Sequence, residues 1–525
     1  MRLLFQFRFL PLTLSALLAM AALVAATVWP DWAFFFTCTF VGFAMLVALG
    51  LHDISQTRHA VLRNYPIAAH LRFLLESVRP EMRQYFFEGE KDGAPFPRDK
   101  RAIVYQRAKK ELDKRPFGTM YDVYQEQYEW LHHSLAPSAP LPIDQMRVQV
   151  SSYSASLLNI SAMSYGALSA NAIRALNKGA QAGGFFHDTG EGGVSPYHRE
   201  QGGDLVWEIG SGYFGCRAAD GGFDPAKFAA NAADPQIKMI EVKLSQGAKP
   251  GHGGVLPAAK VTAEIAAIRG VPMGQDCVSP ASHSAFSTPI GLLQFIAQLR
   301  DLSGGKPTGF KLCIGHEWEF MAICKAMVDS GITPDFVVID GKEGGTGAAP
   351  LEFMDHVGMP LRDGLSFAHN ALIGVGLRDR VKLGASGKIT SAFDMARVMA
   401  LGADWCNAAR GFMFAVGCIQ AQSCHTGECP TGVATQDPLR QRALVVTDKA
   451  DRVRNFHHNT LHALSELVAA AGLAHPRDLR PHHFQRRASS DKVISFAEQY
   501  EQLAPGILLH NPAESPRYGA AWALA

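Results

Sequence analysis

The sequence predicts an α/β protein: a (β/α)8 barrel behind an N-terminal two-helix transmembrane hairpin and a helical linker region. Three observations carry that prediction. Two apolar stretches near the N-terminus hold no charged residue. After residue 150, eight short apolar runs alternate with alanine-rich helical stretches. Glycine-rich polar motifs follow several of those runs, where a barrel keeps its active site. The expected organisation is a hairpin over 1–52, a linker over 53–150, a barrel domain over 151–475 and a C-terminal extension over 476–525.

The hairpin comes first. Leu10–Val28 and Ala33–Leu51 are each about 19 residues, or about 28 Å of helix, close to the thickness of a bilayer core. Trp29, Pro30, Asp31 and Trp32 separate them, and tryptophans there suit a membrane–water interface. Arg2 and Arg8 precede the first stretch, and Arg58 and Arg63 follow the second. The turn between has no lysine or arginine. The positive-inside rule therefore places both ends, and the catalytic domain, on the cytoplasmic side of the cytoplasmic membrane. A cleaved signal peptide fits poorly, because the second stretch would remain. In the linker, helices are expected near 66–80 and 98–113, with loops at 113–119 and 137–142.

Composition excludes several classes. Lysine plus arginine is 50 and aspartate plus glutamate is 48, so the net charge of +2 selects no nucleic acid. An apolar fraction of 47% argues against disorder. The 9 cysteines are too few for a disulfide-stapled scaffold in a chain of 525 residues, yet three of them cluster.

The expected strands are Leu157–Ala162, Phe185–Asp188, Ile240–Leu244, Cys277–Ser279, Gly309–Ile314, Phe336–Asp340, Val381–Ala385 and Trp405–Ala409. Helical stretches between them include Asn171–Gln181, Lys260–Arg269, Ile290–Leu302, Glu317–Ser330 and Ala392–Leu401. A parallel barrel accounts for this alternation; a doubly wound open sheet is the alternative.

Five motifs follow. The segment 159–169 (NISAMSYGALS) is rich in small residues that would let backbone approach a flat ligand; a strand-to-helix turn with Ser169 as N-cap explains it equally well. Asp188-Thr-Gly-Glu-Gly-Gly193 sets Glu191 among glycines, either as a site carboxylate or as a solvated loop acid. In Gln246-Gly-Ala-Lys-Pro-Gly-His-Gly-Gly254, Lys249 in a glycine loop suits an anionic ligand; a mobile surface loop is the plain alternative. Asp340-Gly-Lys-Glu-Gly-Gly-Thr-Gly347 precedes Gly384-Ala-Ser-Gly387 and Ala408-Ala-Arg410. Barrels hold phosphate with the loops after strands 7 and 8, here Ser386, Gly387, Ala409 and Arg410. Cys418, Cys424 and Cys429, with Pro430 after the last, suit an iron–sulfur cluster better than zinc. With no fourth cysteine in the run, a three-iron cluster is favoured.

Two features are set aside. Gly210-Ser-Gly-Tyr-Phe-Gly215 matches a dinucleotide fingerprint, but no helix pattern follows it directly. The pairs His132–His133, His457–His458 and His482–His483 read as surface residues rather than ligands.

Taken together, the motifs resemble the FMN-binding synthase domain of glutamate synthase, and the chain is most similar to stand-alone FMN-binding glutamate synthase family proteins. The resemblance rests on Met163-Ser-Tyr-Gly166, Thr189-Gly-Glu-Gly-Gly193, Gln246-Gly-Ala-Lys-Pro-Gly251, Gly344-Gly-Thr-Gly347, the three cysteines and Ala434-Thr-Gln-Asp-Pro438. It runs from about Ser151 to Leu473, roughly 60% of the chain. It implies an oxidoreductase with FMN and a [3Fe–4S] cluster. That enzyme would reduce 2-iminoglutarate, formed from 2-oxoglutarate and ammonia, to glutamate. By the same resemblance Cys418, Cys424 and Cys429 bind the cluster. Lys249 and Arg269 bind the dicarboxylate, and Glu191 is the acidic residue beside it. FMN contacts come from Met163, Ser164, Gln246, Lys311, Gly345, Ser386, Gly387, Ala409 and Arg410.

The departures bear on substrate. Where the family usually has glutamate and a substrate-holding glutamine, this chain has His252 and Val255. Two alternatives follow from the same cofactors: amine transfer of the glutamate N-methyltransferase kind, and a non-catalytic electron-transfer subunit. No glutaminase domain and no NADPH-binding half is read in the chain. The expected partners are therefore a dicarboxylate substrate, an electron donor of unknown identity, a separate ammonia source and membrane lipid.

Overall fold

The computed structural model describes residues 6–525, so Arg2 lies outside the described residues. The chain divides into two units, one ending at Arg98 and one running from Asp99 to Ala525.

In the first unit, helices Leu10–Val28 and Ala33–Ser55 pair as a hairpin. Leu12, Ser15, Ala19 and Ala22 are the buried residues of the first helix. Their spacing of three or four puts them on one face, and the small side chains of Ser15, Ala19 and Ala22 let the partner helix come close. Leu14, Leu17, Met20 and Leu23 point outward. Both helices are long and apolar enough to cross a membrane. Helix Ala68–Met82 follows near its expected place.

The second unit is built on a closed barrel of eight parallel strands. They are β1 (Leu158–Ile160), β2 (His187–Asp188), β3 (Leu205–Ile209), β4 (Ile237–Lys243), β5 (Thr308–Leu312), β6 (Phe336–Asp340), β7 (Lys382–Ser386) and β8 (Trp405–Ala408). β8 pairs in parallel with β1, which closes the ring. The eightfold expectation holds, but one member changes. Leu205–Ile209 is a barrel strand that the expectation lacks, and Glu208 breaks its apolar run although it is buried. Cys277–Val278 is not in the barrel; it pairs antiparallel with Val255–Leu256.

A hairpin of Arg147–Val150 and Tyr153–Ser156 precedes β1. Val150 and Ala155 from it pack with Phe186, Val206, Met239, Phe336, Val338 and Trp405 in one buried cluster. Most of those residues lie at the starts of their strands, so the hairpin plugs the N-terminal mouth. The C-terminal mouth is left to the loops that carry the motifs.

Helix Val446–Ala470 packs along Ala170–Gly183. Gly179 permits the close approach: a Cβ there would sit 2.5 Å from Val453 Cγ1. His457, expected on the surface, is instead buried in this seam, 2.8 Å from Ser156 Oγ and stacked on Phe185. It lies on the inner face of a helix whose middle is rich in polar residues, from Arg452 to Asn459. The last fifty residues add strands Phe484–Arg487 and Val493–Ser495 to Glu129–Leu131, and helix Pro516–Leu524 packs against Glu317–Ser330.

Candidate active site

Glu191 stands at the centre of the C-terminal mouth, in the loop after β2. Its carboxylate is 3.0 Å from Lys243 Nζ at the end of β4. Lys243 also donates to Gln246 Oε1 at 2.7 Å. Burial works to raise the Glu191 carboxyl, but the charges of Lys243, Arg269 and Lys249 outweigh it and hold it below the usual range. Glycines make room for it. A Cβ on Gly254 would lie 2.3 Å from Oε1, and one on Gly210 would lie 2.9 Å from Glu191 Cβ.

Lys249 is buried, with Nζ donating to Gly253 O at 2.7 Å. Burial lowers its ammonium, and Glu191 partly restores it. Arg269 is buried below the ring of Phe214, and Nη2 donates to Tyr165 O at 3.2 Å. Its Nε has no hydrogen-bond partner among the described residues. The structure thus brings Glu191, Lys249 and Arg269 into one electrostatic group, and adds Lys243. His252 borders the same loop with Nδ1 3.0 Å from Gly253 O. Val255 follows Gly254 on the short strand paired with Cys277–Val278. The cavity among Glu191, Lys243, His252 and Gly254 is about 20 Å³, room for one water.

Beneath this group the barrel interior is charged. Lys311 on β5 is ion-paired with Glu208 of β3 and lies 3.1 Å from Glu241 of β4. Asp188, Glu208 and Glu241 place one oxygen each within 4.8 Å of the others, and all are buried. Burial opposes the Lys311 ammonium, yet Glu208 and Glu241 overcome it and hold its pKa well above the ordinary lysine value. Burial, with Lys311 opposing and Glu208 adding, pushes Glu241 up to about 7. Burial and Glu241 likewise raise Asp188. Burial and the neighbouring carboxylates thus favour the protonated forms of Glu241 and Asp188.

The loops after β6, β7 and β8 come together at the C-terminal mouth. Ser161 and Ser386 hydroxyls are 3.3 Å apart. Arg410 starts the short helix Arg410–Ala415 behind Ala409 and donates to Glu343 O. A Cβ on Gly345 would lie 2.8 Å from Arg410 Nη1, so the guanidinium packs directly against this glycine. Burial lowers Arg410 to about 10 against the pull of Asp340 and Glu343. Burial and the charge of Arg410 lower Lys388. Two cations held below their ordinary values, beside a glycine cradle, match a phosphate dianion in charge. On the other side, Gly190 (φ +64°) brings the β2 loop against Met163 and Ser164; a Cβ there would be 2.7 Å from Ser164 N. These residues fit FMN.

The three cysteines follow the helix after β8. Gln420 N lies 3.5 Å from Cys418 Sγ, and Gln420 and Gln422 both take positive φ (+61° and +57°) as the chain doubles back. Burial pushes Cys418 up to about 12 and raises Cys424. Cys429 is held low against burial by the Thr431 hydroxyl and the N–H groups of Thr431, Val433 and Ala434. Lys260 is buried and donates to Cys424 O at 2.5 Å; burial lowers its ammonium, and the charges of Cys424 and Cys429 only partly oppose that. Thiols facing N–H donors and an ammonium fit an anionic iron–sulfur cluster. A polar cavity of about 400 Å³, lined by Lys260, Thr426, Glu428 and Arg440, opens beside them.

Several functional side chains escape a reading of the sequence. Lys243 ends an expected strand, as Lys311 lies on one, and the same logic of a cation at a strand end finds it. Glu208 and Glu241 interrupt apolar strand runs, which is the signal of charge turned into a barrel. Lys260 is 164 residues from Cys424 and carries no local signal.

Residues 106–474 match the conserved region in glutamate synthase, beginning upstream of the first motif. The glutamate synthase large subunit-like protein YerD of Bacillus subtilis is 37% identical over 498 residues, covering 86% of this chain and 94% of that protein. The archaeal glutamate synthase [NADPH] of Methanocaldococcus jannaschii is 37% identical over 322 residues; the match covers 61% of this chain and 60% of that relative's length. Among solved structures, a mutant flavocytochrome b2 with pyruvate bound aligns over 85% of this chain and 91% of its own at 11% identity, with a TM-score of 0.43, too distant to carry an argument. On the extent of the family match and the length shared with YerD, this chain belongs to the glutamate synthase family of oxidoreductases.

Proposed function

We propose that this protein reduces 2-iminoglutarate, formed from 2-oxoglutarate and ammonia, to glutamate at a bound FMN that is fed by a [3Fe–4S] cluster. The observation that carries the reading is the group of three cations, Lys243, Lys249 and Arg269, around Glu191 at the barrel mouth. A dicarboxylate is a dianion, and the orphaned Nε of Arg269 is a donor awaiting an acceptor. FMN would be held by Met163, Ser164, Gln246 and Lys311 around its ring and by Gly345, Ser386, Gly387, Ala409 and Arg410 at its phosphate. When bound, it supplies hydride-transfer chemistry. Cys418, Cys424 and Cys429 would hold the cluster. The chain's own part is electrostatic. Lys249 and Arg269 bind the carboxylates, and Glu191 sets a negative charge where a cationic imine nitrogen would sit. Beneath the site, burial and neighbouring carboxylates favour protonated Glu241 and Asp188. The hairpin would anchor the enzyme in the cytoplasmic membrane with its barrel on the cytoplasmic side, and the electron donor and ammonia source would be separate.

A second reading, a non-catalytic electron-transfer subunit, draws on the cavity of about 20 Å³ beside Glu191. Dicarboxylate binding separates the two. The synthase reading expects 2-oxoglutarate to bind the flavin-loaded protein in calorimetry, and Lys249→Ala to weaken it by about 2–5 kcal/mol, the scale for losing one partner of a buried charge pair. Absence of 2-oxoglutarate binding to the loaded wild type would favour the second reading.

A further inference from the structure

Beyond the hairpin and the short helix Ala60–Asn64, the next helix carries an unused face. Helix Ala68–Met82 has 15 residues, with only Ala69 buried. Leu71, Leu74, Leu75, Val78 and Met82 are exposed, at 61%, 59%, 59%, 40% and 42%. Their offsets of 0, 3, 4, 7 and 11 form one stripe along a helix at about 100° per residue. Tyr85 and Phe86 continue it past the helix end, 54% and 74% exposed. Arg72, Arg79 and Arg83 flank one edge, with Arg72 paired to Glu76 at 3.0 Å across one turn; Glu81 borders the other edge.

The start of this helix is fixed to the base of the second apolar helix. Asp53, buried in that helix's last turn, accepts from Ile67 N–H at 2.9 Å and faces His70 Nε2 at 3.0 Å. Ile67 takes φ +65° to reach it. Gly50 receives the Ile67 side chain; a Cβ there would lie 3.2 Å from its Cδ1. The two elements therefore meet where the second helix leaves its apolar stretch, within one turn of Ser55.

We infer that Ala68–Met82 lies in the membrane–water interface as a third membrane element, its leucine stripe in the acyl boundary and its arginine edge against anionic headgroups. The inference rests on the membrane reading of the hairpin given above. Continuity selects lipid as the occupant: the Asp53 clamp holds the helix at the level where a spanning helix would emerge, and an apolar face at that level meets lipid first. An amphipathic helix with arginines beside its apolar face is the composition that binds there. Aromatic side chains at its end suit the same depth.

The test uses the full chain in bilayer nanodiscs containing an anionic lipid. A photo-crosslinking amino acid replaces one residue at a time, with mass spectrometry reading the adducts. Substitution at Leu71, Leu74, Leu75, Val78 or Met82 should give lipid adducts at least fivefold above those at Glu76 or Ser77. Phe35 and Leu46 in the second apolar helix serve as hairpin positions. Lipid adducts at Phe35 and Leu46 but none on the stripe would overturn the inference and leave the hairpin reading intact. Adducts on the stripe to a polypeptide, a second copy included, would overturn it in favour of a protein interface. No lipid adducts at any position would overturn both.

Discussion

Gly254→Ala tests the electrostatic centre of the site with one methyl group. The new Cβ would sit 2.3 Å from Glu191 Oε1 and 2.7 Å from Oε2. Relief to an ordinary contact moves the carboxylate by about 1 Å, and its 3.0 Å contact with Lys243 then passes out of hydrogen-bond range. Side chains in this pair are 19% and 9% exposed, so water replaces little of what is lost. A hydrogen bond to a charged group is worth about 1.5–3 kcal/mol; the lower half of that range is about 13–45-fold in kcat/KM. The fold should survive, because the atoms nearest the new Cβ all belong to the flexible end of Glu191. Gly315→Ala is the control, since nothing lies within 4 Å of its Cβ. Glutamate formation from 2-oxoglutarate and ammonium, followed with a chemical reductant, gives the rates. Combining Gly254→Ala with Glu191→Asp, one methylene shorter, should recover part of the loss. Wild-type kcat/KM in Gly254→Ala would refute the placement of Glu191 at the reacting centre.

The buried acid cluster gives a pH prediction. Glu241 is raised to about 7 from an ordinary value near 4.5, so its contribution to stability is complete at low pH and lost as pH rises through that window. Glu241→Gln should therefore gain in melting temperature relative to wild type between about pH 4.5 and 7; parallel curves would contradict the raised Glu241 carboxyl. Cys424→Ser should remove iron, measured chemically, while FMN stays bound; full iron content would move the ligand set elsewhere. Gly179→Ala places a methyl 2.5 Å from Val453 Cγ1 and 2.8 Å from Ala450 O, and should cost about 1–3 kcal/mol in denaturant unfolding. An unchanged midpoint would mean that the two helices separate without cost.

The barrel was legible because parallel strands leave apolar runs, and because the motifs that punctuate those runs lie where a barrel has its loops. The missed strand shows the limit of that signal. Leu205–Ile209 holds a glutamate whose partner, Lys311, lies 103 residues away, so its burial is invisible locally. Cys277–Val278 misled for the opposite reason, since a two-residue hairpin has the composition of a short barrel strand. In the site, Glu191, Lys249 and Arg269 could be named from glycine loops and family likeness. The Lys243 contact and the Lys260 approach to the cysteines depend on the closed ring of strands, which no local window contains. His457 was misjudged because a helix of 25 residues has room for both a wet and a dry face.

The measurement that bears most directly on the proposed chemistry is an anaerobic half-reaction. Detergent-purified full chain, loaded and chemically reduced, is mixed with 2-oxoglutarate and ammonium while the flavin spectrum is recorded and glutamate is quantified. The synthase reading predicts flavin reoxidation with one glutamate formed per flavin oxidised. A loaded, reduced protein that stays reduced and forms no glutamate would contradict it, and would direct the search for another substrate to His252 and Val255.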